Sequence, residues 1–202
     1  RCRVFKKNQM EDYFQKFEFD VKEDVKLKDK IEHYFKAYNF ELVKNDDKTN
    51  LVFEKKWSWL NNGWKFNPIN WETKIEIKLS EKGKAVIEHT VINNGYLTPI
   101  AFSSLYKSFL FNLEQFVNQD KDFREKNNLK IKSATKKVFQ YHGLLIIGVL
   151  FGLFFGIILT NLTELKLFGI VGIIVGAITS QKLINQYLIK KHPTTSSITN
   201  SL

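Results

Sequence analysis

The residues best suited to hold a ligand fall in one stretch. Trp57, Trp59, Trp64 and Trp71 are the only tryptophans in the chain, and Phe66 sits among them. Such a patch can wall a hydrophobic pocket, fill a core through cross-strand pairs, or rest at a membrane interface, where indole is favoured. His89 shares strand parity with Ala85, Ile87 and Val91, which turns its ring to the apolar side. A histidine there reads first as a core residue with satisfied nitrogens and second as an acid–base group. Trp57, Trp59, Trp64, Trp71 and His89 form the candidate ligand site.

Nothing in the chain matches a reaction centre. His33, His89, His142 and His192 have no metal-ligand spacing, and Cys2 is the single cysteine. There is no G-x-S-x-G, no phosphate-binding glycine loop and no Cys–His nucleophile pair. No catalytic residue, metal or cofactor is assigned. The expected class is a binding protein, not an enzyme.

Charge points to a different partner. The chain has 202 residues, with 31 Lys and Arg against 21 Asp and Glu, for a net +10. Residues 1–120 carry 20 basic and 18 acidic groups, residues 121–142 carry 7 and 2, and residues 143–202 carry 4 and 1. The excess therefore sits beside the most apolar part of the chain, where it meets anionic lipid. Only three basic residues are arginine, so the bidentate forks that read bases and phosphates are nearly absent. No nucleic-acid partner is expected. Lys130, Lys132, Lys136 and Lys137 are candidate membrane-surface residues, each capable of up to ~1 kcal/mol of attraction to an anionic leaflet.

From Gly143 to Leu159, seventeen residues pass without a polar side chain. With its flanks, Val138–Thr160 makes a helix of about 34 Å, enough to cross a ~30 Å hydrocarbon core. The connector Asn161–Lys166 is short and polar, so a second helix over 165–189 returns antiparallel. It is cleanly apolar from Leu167 to Ile178, and it crosses if Lys182 snorkels to the surface. Seven basic residues precede the first span and three follow Gln181, against Lys166 alone in the turn. The positive-inside rule then puts both termini in the cytoplasm.

Gly148, Gly152 and Gly156 recur every four residues, as do Gly172 and Gly176. In lipid, close backbone approach over small residues supplies helix packing. These five glycines are candidate helix-packing residues. The two stripes either meet within one hairpin or face a second copy and drive oligomers.

The elements ahead of the hairpin must position the aromatic patch. Phe17, Phe19 and Val21 alternate with charged residues as a strand, and Asp24 can cap a helix bearing Leu27, Ile31, Tyr34, Phe35 and Tyr38. A strand follows at Phe40, turned by Asn45-Asp46-Asp47. Leu51–Leu60 and Trp64–Leu79 form a hairpin about Asn62-Gly63, with Trp59 opposite Phe66 and a bulge at Asn67–Asn70. Ala85–Ile92 is the last strand, and Thr98-Pro99 starts a helix with Leu105, Tyr106, Phe109, Leu113, Phe116 and Val117 on one face. The expected fold is α+β: an antiparallel sheet of about five strands in the order β-α-β-β-β-β-α, two helices packed on one face, then a transmembrane α-hairpin. Residues 1–14 are an extension with Met10 as the expected natural start, 15–119 the soluble domain, 120–137 a basic juxtamembrane linker, 138–190 the membrane hairpin and 191–202 a disordered tail.

This element order over 15–119 resembles the helix-grip arrangement of Bet v1/START-like domains. The resemblance implies a lipid or other hydrophobic molecule held between helix and sheet. A two-layer domain with a solid aromatic core accounts for the same pattern. The expected function is an integral membrane protein whose cytoplasmic domain binds a lipid, a hydrophobic small molecule or a protein. The alternative is an oligomerising membrane effector, with the hairpin assembling and the soluble domain sensing a signal.

Overall fold

The computed structural model describes residues 12–21, 26–46, 50–56, 66–80, 83–93 and 97–191. Trp57, Trp59, Trp64, the Asn62-Gly63 turn, Asp24, Met10 and the tail from His192 lie outside the described residues. Strands β1 (Tyr13–Asp20), β2 (Glu41–Asp46), β3 (Asn50–Lys55), β4 (Thr73–Ser80) and β5 (Lys84–Val91) form one antiparallel sheet in the order β1-β5-β4-β3-β2. The first and last strands in sequence are neighbours, so the sheet sets the start of the domain against its final strand.

Period-two patterning gives the sheet one wet face and one dry face. On β4 the inward Thr73, Ile75 and Ile77 are buried while Lys74 and Lys78 are exposed. On β5 the inward set is Ala85, Ile87, His89 and Val91. Helices α1 (Leu27–Lys36) and α2 (Ser103–Gln119) cover the dry face. Ile31, Tyr34 and Phe35 of α1 are wholly buried, with Phe35 stacked on Phe53 of β3 at 4.6 Å. Phe109 of α2 meets Tyr34 at 5.0 Å. Each such ring contributes about 1.5–3 kcal/mol by leaving water. Together these rings fill the space between α1, α2 and the centre of the sheet.

The β3–β4 pairing is interrupted at Asn67–Asn70, where an interruption is expected, and the hairpin tip lies outside the described residues. Unbroken, a register with Trp59 opposite Phe66 would set Lys55 against Asn70, whereas Lys55 pairs with Thr73. The three extra residues are taken up by a 3-10 turn at Pro68–Asn70, not by a bulge. Asn67 accepts a hydrogen bond from the Ile69 amide at 3.1 Å, and the Lys55 ammonium donates to the Ile69 carbonyl and to Asn70 Oδ1 at 2.9 and 2.8 Å. The lysine thus fastens the turn to the end of β3. A similar 3-10 turn, Pro99–Phe102, opens the way into α2 where proline fixes the first backbone angle.

Two long helices complete the chain, α3 (Arg124–Thr163) and α4 (Leu167–Lys191). Each is long and apolar enough to cross a membrane. Their apolar parts carry unburied side chains such as Ile146, Phe151 and Ile170, each about 60% exposed within the chain. A contiguous apolar surface of this kind requires a non-aqueous neighbour. From Arg124 onward the basic segment is not a separate linker. It is the first third of α3, and Asn127, Ala134 and Val138 of α3 are buried, as is Phe123 just ahead of it. These residues complete the core of the α+β domain, so the domain does not end at residue 119.

Candidate functional site

The most constrained place in the molecule is the junction between the α+β domain and the base of the hairpin. A short link, with Asp120 in the left-handed region closing α2, returns the chain antiparallel as α3. That geometry sets Asn127 against α2. The Asn112 amide donates to Asn127 Oδ1 at 2.7 Å, the Asn127 amide donates to the Tyr34 hydroxyl at 2.7 Å, and that hydroxyl donates to the Phe109 carbonyl at 2.6 Å. All three side chains are buried. Burial holds the Tyr34 hydroxyl well above the usual phenol range, so it stays a donor. A buried polar chain of this kind fixes one arrangement, because any slip leaves a polar group without a partner.

A second asparagine ties the other arm. Asn185 of α4, 3% exposed, accepts a hydrogen bond from the Thr98 amide at 3.1 Å, and Leu188 one turn on is wholly buried. Thr98 precedes the 3-10 turn that opens α2, so α4 is seated on the start of that helix. A third contact falls on α3. Phe66, ahead of the Pro68–Asn70 turn, stacks on Phe139 of α3 at 4.2 Å and meets the His142 ring edge-on at 5.1 Å. Among the described residues, domain and hairpin are therefore joined through Asn127, Asn185 and Phe139.

The glycine stripes meet inside this one chain. A Cβ added to Gly152 would lie 2.1 Å from the Gly172 carbonyl oxygen, and one on Gly156 2.5 Å from that of Phe168. On Gly172 it would meet the Gly152 carbonyl at 2.2 Å, on Gly176 the Gly148 carbonyl at 2.5 Å, and on Gly148 the Ser180 hydroxyl at 1.6 Å. All five candidates thus line one α3–α4 seam, with Gly152 level with Gly176. Of the two arrangements the spacing allowed, the stripes pack on each other.

Of the candidate ligand residues, Trp71 and His89 are described. Trp71 is half-buried and lies edge-on to Phe102 at 5.1 Å, at the start of α2. His89 is 2% exposed and sits between Tyr106 at 5.3 Å and Tyr13 at 6.2 Å, both edge-on. The inward parity is as the strand pattern implies, but His89 Nδ1 has no hydrogen-bond partner among the described residues. The three remaining tryptophans are outside the described residues. Lys130, Lys132, Lys136 and Lys137 are all exposed on α3, away from the Asn127–Ala134–Val138 face that meets the domain.

Burial without a counter-charge pushes the His89 ring down to about 3. The folded state therefore refuses a proton that the unfolded chain takes up below ~6.5. Stability is untouched above that value and falls as pH drops from there toward 3. At pH 5 the loss from His89 alone is about 2 kcal/mol. Thermal melts at pH 7 and pH 5 are expected to converge in His89→Phe, which keeps the ring and removes the titrating nitrogens. An unchanged pH response in that variant would discard the assignment.

The junction was not evident from residue types. Asn127 and Asn185 stand among lysines and glutamines that read as solvated, yet the row Phe123, Asn127, Ile131, Ala134, Val138 has the spacing of a buried helix face. Comparison with protein-family models, curated proteins and solved structures returns no match for the chain.

Proposed function

We propose that this chain is a two-pass membrane protein that holds an α+β protein-binding domain in fixed orientation against the cytoplasmic leaflet. The observation that carries the reading is the burial of Asn127 and Asn185 in the domain, one at the base of each hairpin arm. A mere tether would not need both arms locked to the domain. Helical register supports the placement. Gly148 is level with Ser180, so Asn185, five residues on, is level with Gly143, where the unbroken apolar run begins. The domain therefore rests at the bilayer boundary. Lys136, Lys137, Lys190 and Lys191 lie between one and two turns beyond that level on the domain side, roughly level with one another, which suits an anionic cytoplasmic leaflet.

A protein partner fits better than a carried lipid. The space between helices and sheet is occupied by Tyr34, Phe35, Phe53 and Phe109. The opposite sheet face is open and carries both signs of charge, as in the Lys16–Glu18 and Lys78–Glu88 pairs. The test is labelling with a membrane-impermeant maleimide in a Cys2→Ser background. Glu164→Cys, at the turn between α3 and α4, is expected to react in intact cells, and Lys121→Cys only after the membrane is opened. Equal reaction of both from one side would refute a two-pass hairpin, and the reverse pattern would refute the orientation.

A further inference from the structure

The seam between α3 and α4 does more than join the arms. Because its contact residues are glycines, the flanking rows stand above it as walls, Phe151 and Phe155 on α3 and Val171 and Val175 on α4. The result is an open groove of about 470 Å³ whose lining is apolar except for Thr179 and Ser180 at its domain end. We propose that this groove holds an acyl chain of an anionic phospholipid whose headgroup is gripped at that same end.

Charge selects the occupant. Side chains three or four residues apart lie in one row on a helix. The α4 wall Val171, Val175, Thr179 continues into Lys182, which is exposed. The α3 wall runs from Phe151 through Leu144 to Lys137 by steps of seven, again ending on an exposed lysine. Lys191 and Tyr187, which approach each other at 3.5 Å, stand at the foot of the seam. Each wall thus ends on a lysine beyond the point where the lining turns polar, Lys182 within one turn of Thr179 and Lys137 about two and a half turns further toward the domain, so that a headgroup lies between them. The one acidic residue beyond Glu125, Glu164, is at the far end. An uncharged lipid would gain the apolar lining but nothing from either lysine. A soluble anion would gain the lysines but could not enter the groove. A phospholipid with net negative charge satisfies both ends, with the Thr179 hydroxyl available to its glycerol or phosphate oxygens.

This inference rests on the hairpin being in a bilayer, but not on which way it faces. It is tested with the full chain in nanodiscs of mixed phosphatidylglycerol and phosphatidylcholine, followed by native mass spectrometry of the released protein. Wild type is expected to retain phosphatidylglycerol over phosphatidylcholine. With up to ~1 kcal/mol per lysine, Lys137→Gln with Lys182→Gln is expected to cut that preference by up to roughly thirtyfold. Val175→Trp points into the groove from a lipid-facing position and is expected to reduce retention of either lipid. Equal retention of the two lipids by wild type would overturn the proposal. So would a preference left intact by the double lysine variant, which would move the lipid to Lys130, Lys132 and Lys136. A topology result opposite to the one above would leave this outcome unaffected, so the two readings fail separately.

Discussion

Replacing Asn127 with leucine is expected to remove about 2–3 kcal/mol of stability, the largest loss from any single polar side chain outside the seam. The leucine fits an apolar face, so the loss comes from what it abandons. The Asn112 amide loses its acceptor, and the Tyr34 hydroxyl loses a donor while keeping the Phe109 carbonyl. For a chain of this size the melting midpoint should fall by roughly 5–10 °C. Asn128 is the control, being adjacent in sequence and exposed. Asn128→Leu is expected to change stability by less than about 0.5 kcal/mol. Equal midpoints for the two variants would mean that the buried chain of amides is not what holds α3 to the domain.

The second large effect is expected at Gly152. A methyl group there would sit 2.1 Å from a backbone carbonyl of the facing helix, which cannot rotate away. The helices must part, and in lipid they have little but close packing to hold them. Gly152→Ala is expected to cost about 1–3 kcal/mol, and Gly152→Leu to open the hairpin. Gly169 supplies the comparison, since a Cβ there meets nothing within 4 Å. Gly169→Ala should be neutral in a detergent-resistance or thermal assay. Because the seam is internal to one chain, the wild type should stay monomeric in mild detergent, and Gly152→Leu should destabilise it without changing its mass. A wild-type oligomer that dissociates on Gly152→Leu would show that the stripe faces a second copy.

Much of the fold is legible in the sequence, because sheets and seams repeat. The alternation of Thr73, Ile75 and Ile77 with lysines and a glutamate announces a sheet with one dry face, and the four-residue glycine spacing announces a seam. What periodicity does not convey is where a helix that looks solvated is being used. Lysine density over 121–137 reads as a linker, yet every fourth or third residue there turns toward the domain. Asparagine hides that face, because its burial depends on partners fifteen or more positions away, Asn112 and Tyr34. The form of the β3–β4 interruption, a 3-10 turn and not a bulge, is hidden for a similar reason. A 3-10 turn held by a lysine from the neighbouring strand absorbs residues that a local turn rule assigns to the ladder. His89 shows the limit in the other direction. Its parity gives its side of the sheet, but only the surrounding rings show that Nδ1 has no hydrogen-bond partner among the described residues.

The account turns on the α+β domain and the hairpin being one rigid body. The most direct test is a pulsed electron paramagnetic resonance distance in nanodiscs, on the Cys2→Ser protein labelled at Lys78→Cys on the wet sheet face and Asn161→Cys at the far end of α3. A single narrow distance distribution is expected for the wild-type junction, broadening when Asn127→Leu and Asn185→Leu are combined. A distribution already broad with both asparagines in place would mean that the domain swings freely on its anchor, and the fixed orientation would have to be abandoned.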